Sequence, residues 1–310
     1  MPLHPKRESW SQAFVSGGIA CRTVLASGLL LVLAGLRVSA QTPAEEADKA
    51  YRTAPSKPFR IIGNIYFVGA TQHLTSYLIT TPQGHILLDY GYKESVPGVR
   101  GNIEKLGFQL RDVKILLNSH AHHDHVGGEA LMKELTGART LVMDADAALM
   151  SAGGKGDFRR EMPWDPIQVD RIIQDGERVQ LGGVTLVARL TPGHTKGCTT
   201  WTTVVEEGGK KYNVVFLCGV RVNEGVPLVG NPKYPANAED FARTFQTLKS
   251  LPCDVFLGAH GYWFGIQEKV KSLQQGAKNN PFIDPQGYRA YLEKMEREYL
   301  DQLKREQGKS

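Results

Sequence analysis

Long apolar runs are missing from the 310-residue chain: the stretch from Thr23 to Leu36 has 14 residues, against about 20 for a membrane-spanning helix. A multispan membrane protein is thereby excluded. With 41% apolar and 22% charged residues the chain is also too apolar for disorder, so it should fold as a globule. Cysteine is scarce, at four residues, and a chain of this length buries enough core to need no disulfide or metal merely to hold together. Basic stripes and aromatic-basic alternation are absent too, which removes the electrostatic footprint of a nucleic-acid binder.

The N-terminus reads as an address. Basic Lys6, Arg7 and Arg22 precede the apolar run, and Val38-Ser39-Ala40 precedes Gln41, the pattern of a cleaved secretory signal peptide over residues 1–40. No cysteine follows to carry a lipid anchor, so the expectation is a soluble exported protein of residues 41–310 with no membrane partner. Arg37 and the long stretch before the apolar run favour the alternative, a retained anchor helix. Removing residues 1–40 deletes four basic residues and one acidic one, which lowers the net charge from +5 to +2. Three cysteines remain, Cys198, Cys218 and Cys253. One of them is unpaired within the chain, and three pairings are open.

Beyond a polar lead-in from Gln41 to Pro58, β-type runs are expected at Ile61–Val68, Ser76–Thr80 and His85–Tyr90, with a turn at Thr81-Pro82-Gln83-Gly84. A helix from Ser95 to Leu106, a buried strand from Val113 to Asn118 and a helix from Glu129 to Leu135 follow. Alternation of this kind marks an α/β protein. Gly153 to Pro166 is too rich in Gly and Pro for regular structure and reads as a long loop, the sort that often serves as a lid. Strands at Val184–Leu190, Thr199–Val205, Val214–Leu217 and Asp254–Leu257 and a helix at Ala238–Ser250 complete the pattern. A charged last helix, about Pro285 to Arg305, starts behind Asp284 as its N-cap.

One segment carries the chemistry. His120-Ala121-His122-His123-Asp124-His125 places five metal-capable side chains in six residues, directly after an apolar strand. In extended chain, residues two apart project to one side, so His120 and His122 can share a metal while His123 points elsewhere. Asp124 and His125 sit at a turn into a helix and aim at a neighbouring point. His194, in Thr191-Pro192-Gly193-His194, and His260, in Gly258-Ala259-His260, also lie just past strand ends, where distant segments converge on a common rim. Five histidines and one carboxylate suffice for two zinc ions about 3.5 to 4 Å apart. The expected sets are His120, His122 and His194 for the first ion and Asp124, His125 and His260 for the second. Zinc lowers the pKa of a coordinated water from 15.7 to about 7, which yields a hydroxide nucleophile at neutral pH. His85 reads as a structural or surface histidine, and His73 sits in a loop that could reach the rim.

These three clusters resemble the metallo-β-lactamase fold superfamily, whose signature is His-x-His-x-Asp-His. The resemblance implies an αββα four-layer sandwich, two facing β-sheets between outer helices, with a dizinc site on one rim. The superfamily also holds thioester hydrolases, lactonases, sulfatases and nucleases, so the motif alone names no substrate. Most of those hydrolases carry a zinc-bridging Asp where this chain has Cys218-Gly219; zinc β-lactamases lack that bridge. The ligand pattern and the stretches Leu74–Asp89, Gly153–Phe158, Leu251–Phe264 and Asn280–Gly287 resemble the third, dizinc broad-spectrum β-lactamase subclass, over roughly residues 60–290.

That resemblance implies a periplasmic enzyme that opens the β-lactam amide of penicillins, cephalosporins and carbapenems and so confers antibiotic resistance; a monomer is expected because no exposed apolar helix face stands out. The carbonyl end would lie at the first ion and the leaving nitrogen at the second, with Asp124 or a bound water managing the proton. An exported lactonase or thioester hydrolase is the alternative, and a zinc-buffering protein without catalysis a third. Many subclass members carry a Ser where Gly219 stands here. Arg221 and Asn223 are candidates for seating the substrate carboxylate, and Phe158 and Trp164 for covering its apolar groups. The resemblance further implies a Cys198–Cys218 disulfide, with a zinc-ligand role for Cys218 the less favoured reading; Cys253 stands where the subclass often has a disulfide, but the C-terminal helices hold no partner cysteine, so a free buried thiol is expected.

Overall fold

Alternate residues of the central strands face opposite ways, and that alternation builds the layers. In the computed structural model, which describes residue 47 and residues 51–308, β3 (Tyr77–Thr81) sends Tyr77 and Ile79 to one face and Leu78 to the other. The neighbours β4 (Gly84–Leu88) and β5 (Val113–Leu117) do likewise: Ile86, Leu88, Ile115 and Leu117 face inward, Leu87 and Leu116 outward. The expected signal peptide lies outside the described residues. Among those described, no helix is long and apolar enough to cross a membrane.

The first sheet has seven strands in chain order: β1 (Phe59–Ile62), β2 (Ile65–Phe67), β3, β4, β5, β6 (Arg139–Met143) and β7 (Arg171–Ile173). Pairing is antiparallel from β1 to β4 and parallel from β4 to β7. The second sheet runs β12 (Val255–Gly258), β11 (Lys210–Leu217), β10 (Thr199–Glu207), β9 (Val184–Leu190) and β8 (Arg178–Leu181). Its one parallel pair is β11 with β12.

Helices α1 (Val96–Lys105) and α3 (Glu129–Thr136) press Val96, Val99, Ile103 and Met132 onto the outer face of the first sheet. On the second, α5 (Asn237–Ser250) and α7 (Pro285–Gln307) bury Phe241, Phe245, Leu248, Tyr288, Leu292 and Met295. With both faces covered, Val214–Leu217 is buried at four consecutive positions, as a doubly covered strand must be. The four-layer αββα expectation holds. Asp284 caps α7, its Oδ1 accepting from the Gly287 amide at 2.8 Å.

Three expectations need correction. The run Ile61–Val68 is two strands, because Gly63 at φ 53° turns the chain between β1 and β2. The polar lead-in is helical at residues 51–53. Strands β6, β7 and β8 and helix α4 (Asp144–Ser151) went unread; β7 and β8 are short and partly exposed, so they carry little apolar pattern.

Candidate metal centre

Each donor segment leaves a strand at the same rim. Past β5 the chain bends at Ser119 and Ala121, where the His122 amide donates to the His120 carbonyl at 2.9 Å, and enters the four-residue α2 (His123–Val126); past β9 it reaches His194, and past β12 it reaches His260. Two groups form. His120, His122 and His194 bring one ligand atom each to within 4.8 Å of one another, and Asp124, His125 and His260 do the same. Each group draws on both sheets.

The spacing fits a metal rather than a hydrogen-bond network. His125 Nε2 and His260 Nε2 are 3.2 Å apart, and Asp124 Oδ2 lies 3.3 Å from the first and 3.6 Å from the second. Donors held about 2.0 to 2.1 Å from a tetrahedral zinc are about 3.3 Å apart. In the other group the Nε2 atoms of His120 and His122 are buried with no hydrogen-bond partner, a condition that a cation relieves. Imidazole with carboxylate is a donor set that suits zinc.

On His120, His125 and His194 the far ring nitrogen is already engaged, which fixes the tautomer. His194 Nδ1 donates to the Arg221 carbonyl at 2.8 Å. Asp89 accepts from His125 Nδ1 at 3.2 Å, from the Ser119 amide at 2.7 Å and from Ser119 Oγ at 2.8 Å; Ser119 Oγ in turn accepts from His120 Nδ1 at 2.9 Å. Three Nε2 lone pairs are therefore aimed at the donor sites. Asp89 holds this post in a left-handed conformation, φ 59°.

Electrostatics prepares the same atoms. Burial, reinforced by neighbouring imidazoles, pushes His120, His122 and His260 well below the usual histidine range, and burial takes His194 down to about 4, so all four are neutral at neutral pH. Burial raises Asp124, but His125 and His260 overcome it and hold the carboxyl well below its usual value. His125 goes up to about 10 because Asp124 and Asp89 outweigh its burial. A cation in the site takes the place of that proton.

Asp146 joins the two loops of the first group. Fully buried, it accepts from the Ala121 amide at 3.0 Å, Thr195 Oγ1 at 2.9 Å and the Gly197 amide at 2.7 Å. Gly219 is as constrained: a Cβ there would lie 2.2 Å from His194 Cδ2, so the ring already fills the space a Ser would take.

His123 stays outside both groups and packs on Tyr92, as its spacing predicts. His85 packs on Phe108, a structural histidine. His73 does reach the rim, stacked on Tyr262 with its ring centroid 5.2 Å from that of His260, but joins neither donor set. Cys198 and Cys218 are bridged, so Cys218 is no zinc ligand, and Cys253 is a free thiol pushed up to about 12 by burial and hence inert.

Among the substrate candidates, Phe158 packs on Tyr234 at 4.9 Å. Asn223 Nδ2 is engaged with the His194 carbonyl at 2.7 Å, so it braces a donor loop. Arg221 is exposed and lines a groove of about 660 Å³ with Glu298, Tyr299 and Arg305. Trp164 is a correction: only 8% exposed, it fills a small core with Val126, Ala147 and Met150 and cannot cover a substrate. Asp89, Ser119, Asp146 and Arg159 were not singled out from the sequence. Asp89 had a signal, since it too stands just past an apolar strand end.

A family model for the metallo-beta-lactamase superfamily matches residues 73–260. Among solved structures, native FEZ-1 metallo-beta-lactamase from Legionella gormanii is 45% identical, with a TM-score of 0.80 over 82% of this chain and 97% of that one. BJP-1, a subclass B3 metallo-beta-lactamase of Bradyrhizobium japonicum, is 39% identical, with a TM-score of 0.78 over 84% of this chain and 98% of that one. A curated relative, hydroxyacylglutathione hydrolase of Pseudomonas aeruginosa, is 39% identical over 82 residues, 26% of this chain. The chain thus spans about a quarter of that relative's length, 25%.

Proposed function

The chain belongs to the metallo-beta-lactamase superfamily of hydrolases, and from that premise we propose that it hydrolyses the β-lactam amide of penicillins, cephalosporins and carbapenems. One observation carries this reading over a thioester hydrolase or lactonase. Cys218, tied to Cys198, stands where a metal-bridging Asp is expected in those enzymes, and the likeness to β-lactamases covers most of the chain. The likeness to hydroxyacylglutathione hydrolase covers a quarter of it.

His120, His122 and His194 would hold one zinc ion and Asp124, His125 and His260 a second. Zinc in these sites supplies Lewis acidity and a source of hydroxide at neutral pH. The chain's own residues do the rest. Asp89, Ser119 and the Arg221 carbonyl keep the imidazoles oriented, which spares the site any reorganisation as charge develops. Asp124 or a bound water would manage the proton that passes from the attacking water to the leaving nitrogen. In this reading the substrate's carbonyl end faces the first donor set and its ring nitrogen the second. Arg221 is offered for the ring carboxylate and Phe158 for the apolar substituents. Residues 1–40 are proposed as a signal for export to the periplasm and the mature chain as a monomer, to be checked by N-terminal sequencing and light scattering.

The test is turnover of nitrocefin and imipenem, expected to survive clavulanate, to stop with EDTA and to be lost in His194→Ala. Zinc-loaded protein that leaves both β-lactams intact but cleaves S-lactoylglutathione or an acyl-homoserine lactone would establish the alternative instead.

A further inference from the structure

The Gly153–Pro166 loop carries a guanidinium that the metal-centred reading leaves unused. Arg159 is half-buried, its side chain 22% exposed, and among the described residues its partner is Asp157, which accepts from Arg159 N at 2.9 Å and from Nη2 at 3.3 Å. Its Nε is buried and, among the described residues, has no partner. A guanidinium presents five donors in a rigid fork, and a buried donor left unmade costs about 1 to 3 kcal/mol, more when charged, so a ligand is the natural completion. The loop lies against the segment that carries His194: Phe158, next to Arg159, packs edge-on to Tyr234, and the ammonium of Lys196, two residues past His194, sits 5.3 Å from the same Tyr234 ring. One wall of the site thus offers two cations and two aromatic rings.

Which part of a substrate meets that wall follows from the β-lactam itself. The acylamino side chain branches from the carbon next to the carbonyl, while the ring carboxylate branches from the carbon next to the nitrogen. With the carbonyl end at the first donor set, the wall meets the acyl side chain rather than the ring carboxylate. We propose that Arg159, with the Phe158 and Tyr234 rings beside it, forms a subsite for an aryl acyl side chain bearing a second carboxylate. This rests on the β-lactam reading and adds a preference for dianionic substrates. Asp157 offsets part of the charge but engages only Nη2, leaving the N–H groups of Nε and Nη1 to donate to a carboxylate.

The experiment compares carbenicillin with benzylpenicillin, which differ only by a carboxylate on the benzylic carbon. Arg159→Gln is expected to lower the carbenicillin to benzylpenicillin ratio of kcat/KM about tenfold, mainly through KM, and Arg159→Lys to restore part of it. Zinc content is measured alongside. In wild-type enzyme the same ratio should fall as ionic strength rises, a reading that needs no variant to fold. An unchanged ratio in Arg159→Gln, including equal losses on both penicillins, overturns the subsite while leaving the β-lactamase reading intact. Should wild-type enzyme turn over neither penicillin, the β-lactam reading falls and takes this subsite with it.

Discussion

Asp146 and Thr195 are joined by a 2.9 Å hydrogen bond between buried side chains, and the same carboxylate holds the Ala121 amide at 3.0 Å. Thr195 follows His194 and Ala121 separates His120 from His122, so one carboxylate sets the distance between the loops of the first donor set. Asp146→Ala should lower first-set zinc affinity about tenfold or more, with stability down by about 3 kcal/mol. Cobalt substitution followed by absorption spectroscopy reads the two donor sets separately.

Gly219 gives a sharper steric case. A Cβ 2.2 Å from His194 Cδ2 cannot stand without moving the ring. Gly219→Ala is therefore expected to keep its far-ultraviolet circular dichroism while losing about ten- to hundredfold in first-set zinc affinity, measured by competition with a chelating dye.

Glu129 is fully buried near Asn118, and burial pushes its carboxyl up to about 8 from an ordinary value of 4.5. The folded chain keeps a proton that the unfolded chain releases above pH 4.5, so the unfolded state binds fewer protons and stability falls as pH rises from about 4.5 toward 8. The slope approaches about 1.4 kcal/mol per pH unit within that window. Urea melts at pH 5 and 7.5 should show the loss in wild type, and Glu129→Gln should show less of it.

The Cys198–Cys218 bridge closes a loop across a sequence separation of 20. A loop of that order is worth about 3 kcal/mol in the chain-entropy account. The Cys198→Ser, Cys218→Ser double variant should unfold at correspondingly lower urea and still bind its full complement of zinc, because neither sulfur belongs to a donor set.

Much of the site was legible because its donors obey a local rule, each standing just past an apolar strand; His120 and His122 do converge, though through a turn at Ala121 rather than the alternation of extended chain. His123 stays outside both groups, as expected. What escaped is what depends on partners far along the chain. Asp146 is a helix residue whose meaning appears only against Ala121 and Gly197, 25 and 51 positions away. Trp164 looked like a lid because its loop is rich in Gly and Pro, yet composition says nothing of whether a ring turns inward. Strands β7 and β8 were invisible because short, half-exposed segments owe their pairing to neighbours rather than to their own pattern.

Each donor set takes two side chains from the segment leaving the first sheet and one from the second sheet. A cation bound there acts as a rivet through the seam between the layers, and its binding energy adds directly to the work needed to prise them apart. Starved of metal, the molecule should loosen first along this edge, becoming fodder for proteases at the same time as it goes silent.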